Sequence, residues 1–317
     1  MDSTSPGTRQ LAVFLFLALA WGSSFLFVRV LAEAGVGAFG VSGGRCLLGF
    51  LSLVPFAIAK RRLFPRDRRT LAAIAFLGVL NFAIPWTLFA LGAQHVPSGV
   101  SAITNASTPL WAAIFSTIII RAERFDARRL TGLCLGFAGV MVLMQSRVHG
   151  LNREALLGIP VMLLATAAYG LSASIIRRWL HHVPAVPLTF GQVGVAAAIL
   201  FPLALVTGSF DGASFGWHEW LSLLLLGGIG SGVASVLYMW LIGTLGPVRA
   251  ASTTYLMPPV GVALGWLLLN ESVAWSMVAG VVLILLGVAL VQGRIPSLGR
   301  LRARIQAGRV VRSTAKQ

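Results

Sequence analysis

Acidic residues are scarce in this chain: 9 Asp and Glu stand against 25 Lys and Arg among 317 residues, a net charge of +16. None of Asp2, Glu33, Asp67, Glu123, Asp126, Glu154, Asp211, Glu219 and Glu271 falls near the centre of an apolar stretch. A midplane carboxylate that relays protons is therefore not expected, because ionisable groups are expensive inside lipid and mark pathways where they occur. Cysteine is nearly missing as well. Cys46 and Cys134 both sit within apolar stretches, so no disulfide framework or metal motif follows, and neither a metal nor a cofactor is expected. Charged residues make up 11% of the chain and hydrophobic ones 57%, more apolar surface than a single soluble domain can hide. The strict alternation of a membrane β-barrel is also lacking. In hydrocarbon every backbone group must then be satisfied within helices, and the fold class that follows is an all-α integral membrane protein.

Windows of about 20 apolar residues place ten spans at 11–31, 40–59, 71–91, 98–120, 128–145, 157–176, 184–207, 220–242, 248–270 and 274–292. The chain repeats itself. TGLCLGFAGVMVL around Gly132 and Gly139 answers to AGVVLILLGVAL around Gly280 and Gly287, Trp21-Gly22 to Tyr169-Gly170, Pro97 to Pro247 and Pro109 to Pro258. The spacing, roughly 150 residues, lies far beyond the range of solenoid repeats. The expected organisation is a tail (1–10), a five-helix repeat (11–145), a linker (146–156), a second five-helix repeat (157–293) and a basic tail (294–317). An odd number of spans per copy makes the second copy enter the bilayer from the opposite side, which is the geometry of many secondary transporters.

The positive charge is distributed by topology. Lys60 to Arg69 follow the second span, Arg121 to Arg129 the fourth, Arg177 and Arg178 the sixth, and Arg300 to Lys316 the tenth. By the positive-inside bias these alternate loops and both termini lie in the cytoplasm, and the lipid bilayer rather than nucleic acid is the expected partner of the charge. A signal-peptide reading of LAVFLFLALAW is rejected because the apolar stretch runs on through Leu31. The basic tail is expected to rest near anionic headgroups.

WGSSFLFVRVLAE in the first span, GGRCLLGFL with Arg45 in the second, PPVGVALGWLLLNESV in the ninth and the two glycine pairs, in this order and duplicated, resemble the drug/metabolite transporter superfamily, in particular its EamA-like ten-helix branch. The resemblance covers residues 11 to about 293. It implies a metabolite or amino-acid exporter of a bacterial inner membrane, with both termini inside and a central cavity between the repeats.

Candidate substrate-binding residues come from three patterns. TNAST before Pro109 and STTYLMP before Pro258 set hydroxyls and an amide beside prolines. A proline removes an intrahelical bond and frees the carbonyl four residues back, so Asn105, Thr254 and Tyr255 are candidates, with interhelical glue as the competing role. Trp21 with Ser24, Asn81 with Trp86, Tyr169, and Tyr238 combine an aromatic face with a hydrogen-bonding group well inside their spans, as small-molecule cavities do. Arg45, about one and a half turns into its span, is a charge that draws an anionic group or snorkels outward. Glu271 is the remaining charge candidate, with an interfacial helix end as the plain alternative. Gly132/Gly136, Gly228/Gly232 and Gly261/Gly265 form small-xxx-small faces for close helix packing.

Two other classes stand against transport. GVSGG at Gly40–Gly44 fits a nucleophile-elbow pattern with Ser42 as an intramembrane hydrolase nucleophile and His95 as its base, but no strand-turn-helix context accompanies it. A transport-incompetent sensor needs a partner domain or a long cytoplasmic segment, and the sequence offers neither. The expectation is a carrier, not an enzyme, moving a small neutral or zwitterionic metabolite outward by alternating access; its oligomeric state is not legible in the sequence.

Overall fold

The computed structural model describes residues 7–93, 98–120, 126–145, 155–269 and 274–293. Among these, nine helices are long and apolar enough to span a membrane: α1 (Thr8–Glu33), α2 (Ala38–Ala59), α3 (Arg68–Gly92), α4 (Val100–Ile119), α5 (Ala127–Met144), α6 (Leu157–Trp179), α7 (Ala185–Val206), α8 (Trp217–Leu245) and α10 (Trp275–Gln292). The remaining path, α9, is built from Pro247–Ala251, a 3-10 stretch Ser252–Leu256 and Met257–Leu269. The chain is an all-helical, multi-pass membrane protein, and no strand occurs among the described residues.

Hydrophobicity fixes the spans; local chemistry fixes their ends. The Asp67 carboxylate accepts the Thr70 amide at 2.8 Å at the start of α3, and Asp126 accepts the Arg128 amide at 3.2 Å at the start of α5, each satisfying one of the first-turn donors that a helix leaves free. Gly246, at φ 86°, ends α8 and hands over to Pro247, whose ring suits the first position of a helix.

Glycines show how the two halves meet. A Cβ on Gly132 in α5 would stand 2.8 Å from the Gly287 carbonyl oxygen in α10, and one on Gly139 would stand 2.9 Å from the Gly280 oxygen. The first glycine of each copy thus faces the second glycine of the other. That reciprocal crossing is what a two-fold axis between inverted copies produces, and only backbones stripped of side chains approach so closely. The same exchange recurs nearer the centre. Gly22 in α1 is pressed against Val260 and the Met257 carbonyl of α9, while Gly170 in α6 is pressed against Trp111 and Ala112 of α4. Each copy's first helix therefore packs on the other copy's fourth, and the ten helices form two inverted five-helix repeats. Gly261 departs from the expected tight faces: nothing lies within 4 Å of where its Cβ would be.

Candidate functional site

Two helices at the centre are irregular in corresponding places. α3 passes through a π-helical turn at Val79–Ala83 and α8 through a longer one at Leu225–Val233. A π-bulge inserts a residue into the ladder and re-aims the groups around it. In α8 the Ser231 hydroxyl takes up the slack by donating to the Leu226 carbonyl, five residues back, at 3.0 Å. The bulge presents two groups to neighbouring helices. The Gly230 carbonyl accepts the Trp21 indole N–H at 2.9 Å, and the Ser231 hydroxyl accepts the Arg45 Nε–H at 2.9 Å. Gly227 permits the approach of α2, since a Cβ there would meet Leu48 Cβ at 2.6 Å and the Arg45 carbonyl at 3.2 Å.

From Arg45 the contacts close into a ring. Its guanidinium carbon lies 3.9 Å from the centre of the Trp86 ring in α3, a cation–π stack. The hydroxyl of Tyr169 in α6 lies beside the Trp86 indole and within electrostatic reach of Arg45 and Tyr238. Tyr238 in α8 meets Trp21 edge-on, centroids 5.1 Å apart. Phe82 stands edge-on to Trp86 at 5.2 Å and Phe89 lies parallel to Tyr169 at 6.3 Å. Trp21, Arg45, Trp86, Tyr169 and Tyr238 are all half-buried although they lie mid-span. The structure therefore brings together five sequence candidates from α1, α2, α3, α6 and α8. Ser24 sits beside them, its hydroxyl bonded to the Ala20 carbonyl at 2.9 Å.

The broken helices complete the surroundings. Asn105, half-buried at the break in α4, points its amide at the Met257 sulfur of α9, 3.5 Å away, so the two breaks touch. Pro109 and Pro258 stand at the start of the second halves of their helices, as the sequence suggests. The carbonyls near the breaks are already taken: Thr104 bonds Val100 O, Ser107 bonds Thr104 O and Thr108 bonds Asn105 O. Ser252, Thr253 and Thr254 bond Arg249 O, Ala250 O and Ala251 O in the same way. Hydroxyls read as solute-facing thus satisfy their own backbone, a common alternative for Ser and Thr. Thr254 is buried, and Tyr255, fully buried, turns toward α5, where its hydroxyl donates to the Leu133 carbonyl at 3.0 Å and its ring covers Gly136.

Asn81 is also buried. Its amide donates to Gln192 Oε1 of α7 at 3.1 Å, and the Gln192 Nε2 has no partner among the described residues. Ser42 is 4% exposed, on the face of α2 where Gly43 abuts the Leu200 carbonyl; its suggested base His95 and the candidate Glu271 lie outside the described residues. Arg29, near the C-terminal end of α1, pairs with Glu33 at 2.7 Å on the exposed surface. No cluster suited to a metal occurs among the described residues.

Sequence reading missed Gly230, Ser231 and Gln192. Gln192 carried a usable signal, an amide deep in an apolar span. Ser231 carried none beyond a glycine-rich run, because a π-bulge leaves the hydropathy pattern unchanged.

The EamA-like transporter family model matches residues 9–145 and again residues 156–292. The chain belongs to the EamA-like transporter family. Similar proteins include an uncharacterized transporter, YoaV, of Bacillus subtilis strain 168, 19% identical over 86% of this chain and 92% of its own. A probable terminal-alkyne amino-acid exporter of Streptantibioticus cattleyicolor is 24% identical over 92% of this chain and 95% of its own. The uncharacterized inner membrane transporter YedA of Escherichia coli K12 is 27% identical over 78% and 79%. A crystal structure covering 96% of its own chain and 90% of this one superposes with a TM-score of 0.72 at 18% identity, a likeness of fold. Family and relatives are transporters, which points away from enzymatic activity.

Proposed function

We propose that this chain is a secondary transporter of a bacterial inner membrane that exports a small metabolite or amino acid by alternating access, with both termini in the cytoplasm. The observation that carries the reading is the ring of Trp21, Arg45, Trp86, Tyr169 and Tyr238. It draws residues from both copies to one place near their axis, where carriers of this symmetry hold their solutes. Mid-span side chains with both aromatic faces and free polar edges suit a small amphipathic molecule. The probable terminal-alkyne amino-acid exporter among the relatives supports the outward direction and a small-molecule solute. The two inverted copies rock about the ring, each exposing it to one side in turn, and Asn105 with the paired helix breaks flanks the path.

The test is counterflow in proteoliposomes. Vesicles preloaded with an unlabelled amino-acid and metabolite mixture are diluted into labelled solutes, with and without a pH gradient. A carrier accumulates label transiently, and Trp21→Ala together with Tyr238→Ala removes most of the accumulation. Label entry that is linear and indifferent to the preload excludes alternating access. Cysteine-labelling of the two tails in intact cells tests their placement: labelling from outside overturns the cytoplasmic assignment.

A further inference from the structure

The ring contains one fixed cation and, among the described residues, no fixed anion. Arg45 is held by two contacts that leave most of it unused: Nε–H goes to Ser231 and one face of the guanidinium goes to Trp86. Of the five N–H groups a guanidinium carries, the other four have no described partner. The described carboxylates are Glu33, Asp67, Asp126, Asp211 and Glu219, and none pairs with Arg45; Glu33 pairs with Arg29 and Asp126 with Arg128. A charge inside a bundle without a counter-ion is costly, and a half-buried position among aromatic rings does not hydrate it fully.

The two-fold relation makes this cation the more informative. Arg45 and Gln192 occupy the same step of α2 and α7, counted from Ala38 and Ala185. Each bonds across to the π-helical turn in the third helix of the other copy: Arg45 to Ser231 in α8, Gln192 to Asn81 in α3. Trp21 with Tyr238 likewise corresponds to Tyr169 with Phe89. One architecture therefore appears twice, once with a charge at the ring and once with a neutral amide buried away from it.

We propose that Arg45 is the carboxylate-recognition residue of this transporter, and that its solute is a net-negative monocarboxylate with an apolar or aromatic body. The proposal rests on the transport reading above and sharpens it. The edge of the guanidinium takes the carboxylate by paired charge-assisted hydrogen bonds, Trp86 and Ser231 fix its plane, and Trp21, Tyr169 and Tyr238 enclose the body of the solute. Without an acidic side chain at the ring, an ammonium group on the solute finds no ionic partner there, so an anion is preferred over a zwitterion of the same shape.

The full chain in proteoliposomes is titrated with 3-phenylpropionate, 3-phenylpropionamide and phenylalanine, following intrinsic fluorescence because Trp86 lies on the guanidinium. The anion is expected to bind more tightly than the amide by between about tenfold and about a hundredfold, the range for a hydrogen bond to a charged group, and phenylalanine to fall between them. In R45Q the preference for anion over amide is expected to collapse to near unity. That substitution installs what the second copy already carries at the same step, and a melting curve in detergent confirms that the variant is folded. R45K retains part of the preference, since it keeps charge and loses the planar fork. A ratio of anion to amide that survives in folded R45Q overturns the proposal, as does equal binding of all three probes, phenylalanine binding as tightly as the anion, or binding of none. Counterflow of the amide alone overturns the carboxylate site and leaves the transport reading standing.

Discussion

The Arg45–Ser231 bond and the Asn81–Gln192 bond are the same element of the repeat fulfilled in opposite ways. At the first, a cation at 2.9 Å from its serine lies half-buried at the ring; at the second, an amide pair at 3.1 Å is sealed between α3 and α7. The backbone plan is shared down to a π-helical turn in each third helix. What differs is solvation. A duplicated fold gives two equivalent positions, and only one of them carries a charge and is partly exposed. Symmetry builds the scaffold, and its local breaking sets the two positions apart.

Making the second position charged is the strongest way to break this contrast. Gln192 has no exposed surface, so Gln192→Arg buries a guanidinium with no ion partner and is expected to cost about 3–5 kcal/mol, the cost of an uncompensated buried charge. Denaturant melts in micelles read it, and a variant as stable as the parent would show that water reaches Gln192 as freely as Arg45. The next effect removes the common scaffold beneath both positions. A Cβ on Gly280 would sit 2.6 Å from the Leu143 amide nitrogen, so Gly280→Ala forces α5 and α10 apart and destabilises by about 1–3 kcal/mol. Gly261→Ala, in open space, is its control and leaves stability unchanged or raised by up to about 1 kcal/mol. If the two glycine variants melt alike, the crossing does not hold the copies together.

Smaller again is Trp21→Phe, which keeps the aromatic contact with Tyr238 and drops the bond to the Gly230 carbonyl. A loss of about 1 kcal/mol in solute binding is expected, read as a few-fold rise in the half-saturating concentration in counterflow. The smallest effect lies outside the membrane. The Thr70 amide holds the exposed Asp67 carboxyl below its ordinary range. A depressed folded value means the cap stabilises above the unfolded pKa and is lost as pH falls through the folded one, so the first turn of α3 loosens below about pH 4. Asp67→Asn keeps a capping side chain and flattens that acid limb. Amide exchange near Thr70 at pH 3 and pH 5 makes the comparison; equal exchange at both in the parent would remove the cap from the account.

The spans and the internal repeat were legible because hydrocarbon imposes length and composition on every crossing, and a duplicated glycine pair survives drift where close packing tolerates nothing larger. Trp21, Trp86, Tyr169 and Tyr238 were legible for a related reason: an amphipathic ring in mid-span has no aqueous interface to reach, so it faces other protein. The direction of Tyr255 was not legible. It lies within a 3-10 stretch, where three residues make a turn instead of 3.6, and the change of pitch swings the hydroxyl toward Leu133 rather than the axis. Asn105 was recognised by its proline, but that its amide would find a thioether on the opposite break required knowing that the breaks meet.

Those breaks carry a last consequence. On either side, a run of Thr and Ser hydroxyls clamps the carbonyls of the preceding turn, so the severed backbone is already insulated before any cargo arrives. The two fractures are thus dry knuckles: a bend at either would neither strip nor restore hydration on these carbonyls, so in the transport cycle proposed above the work of recognition falls to side chains.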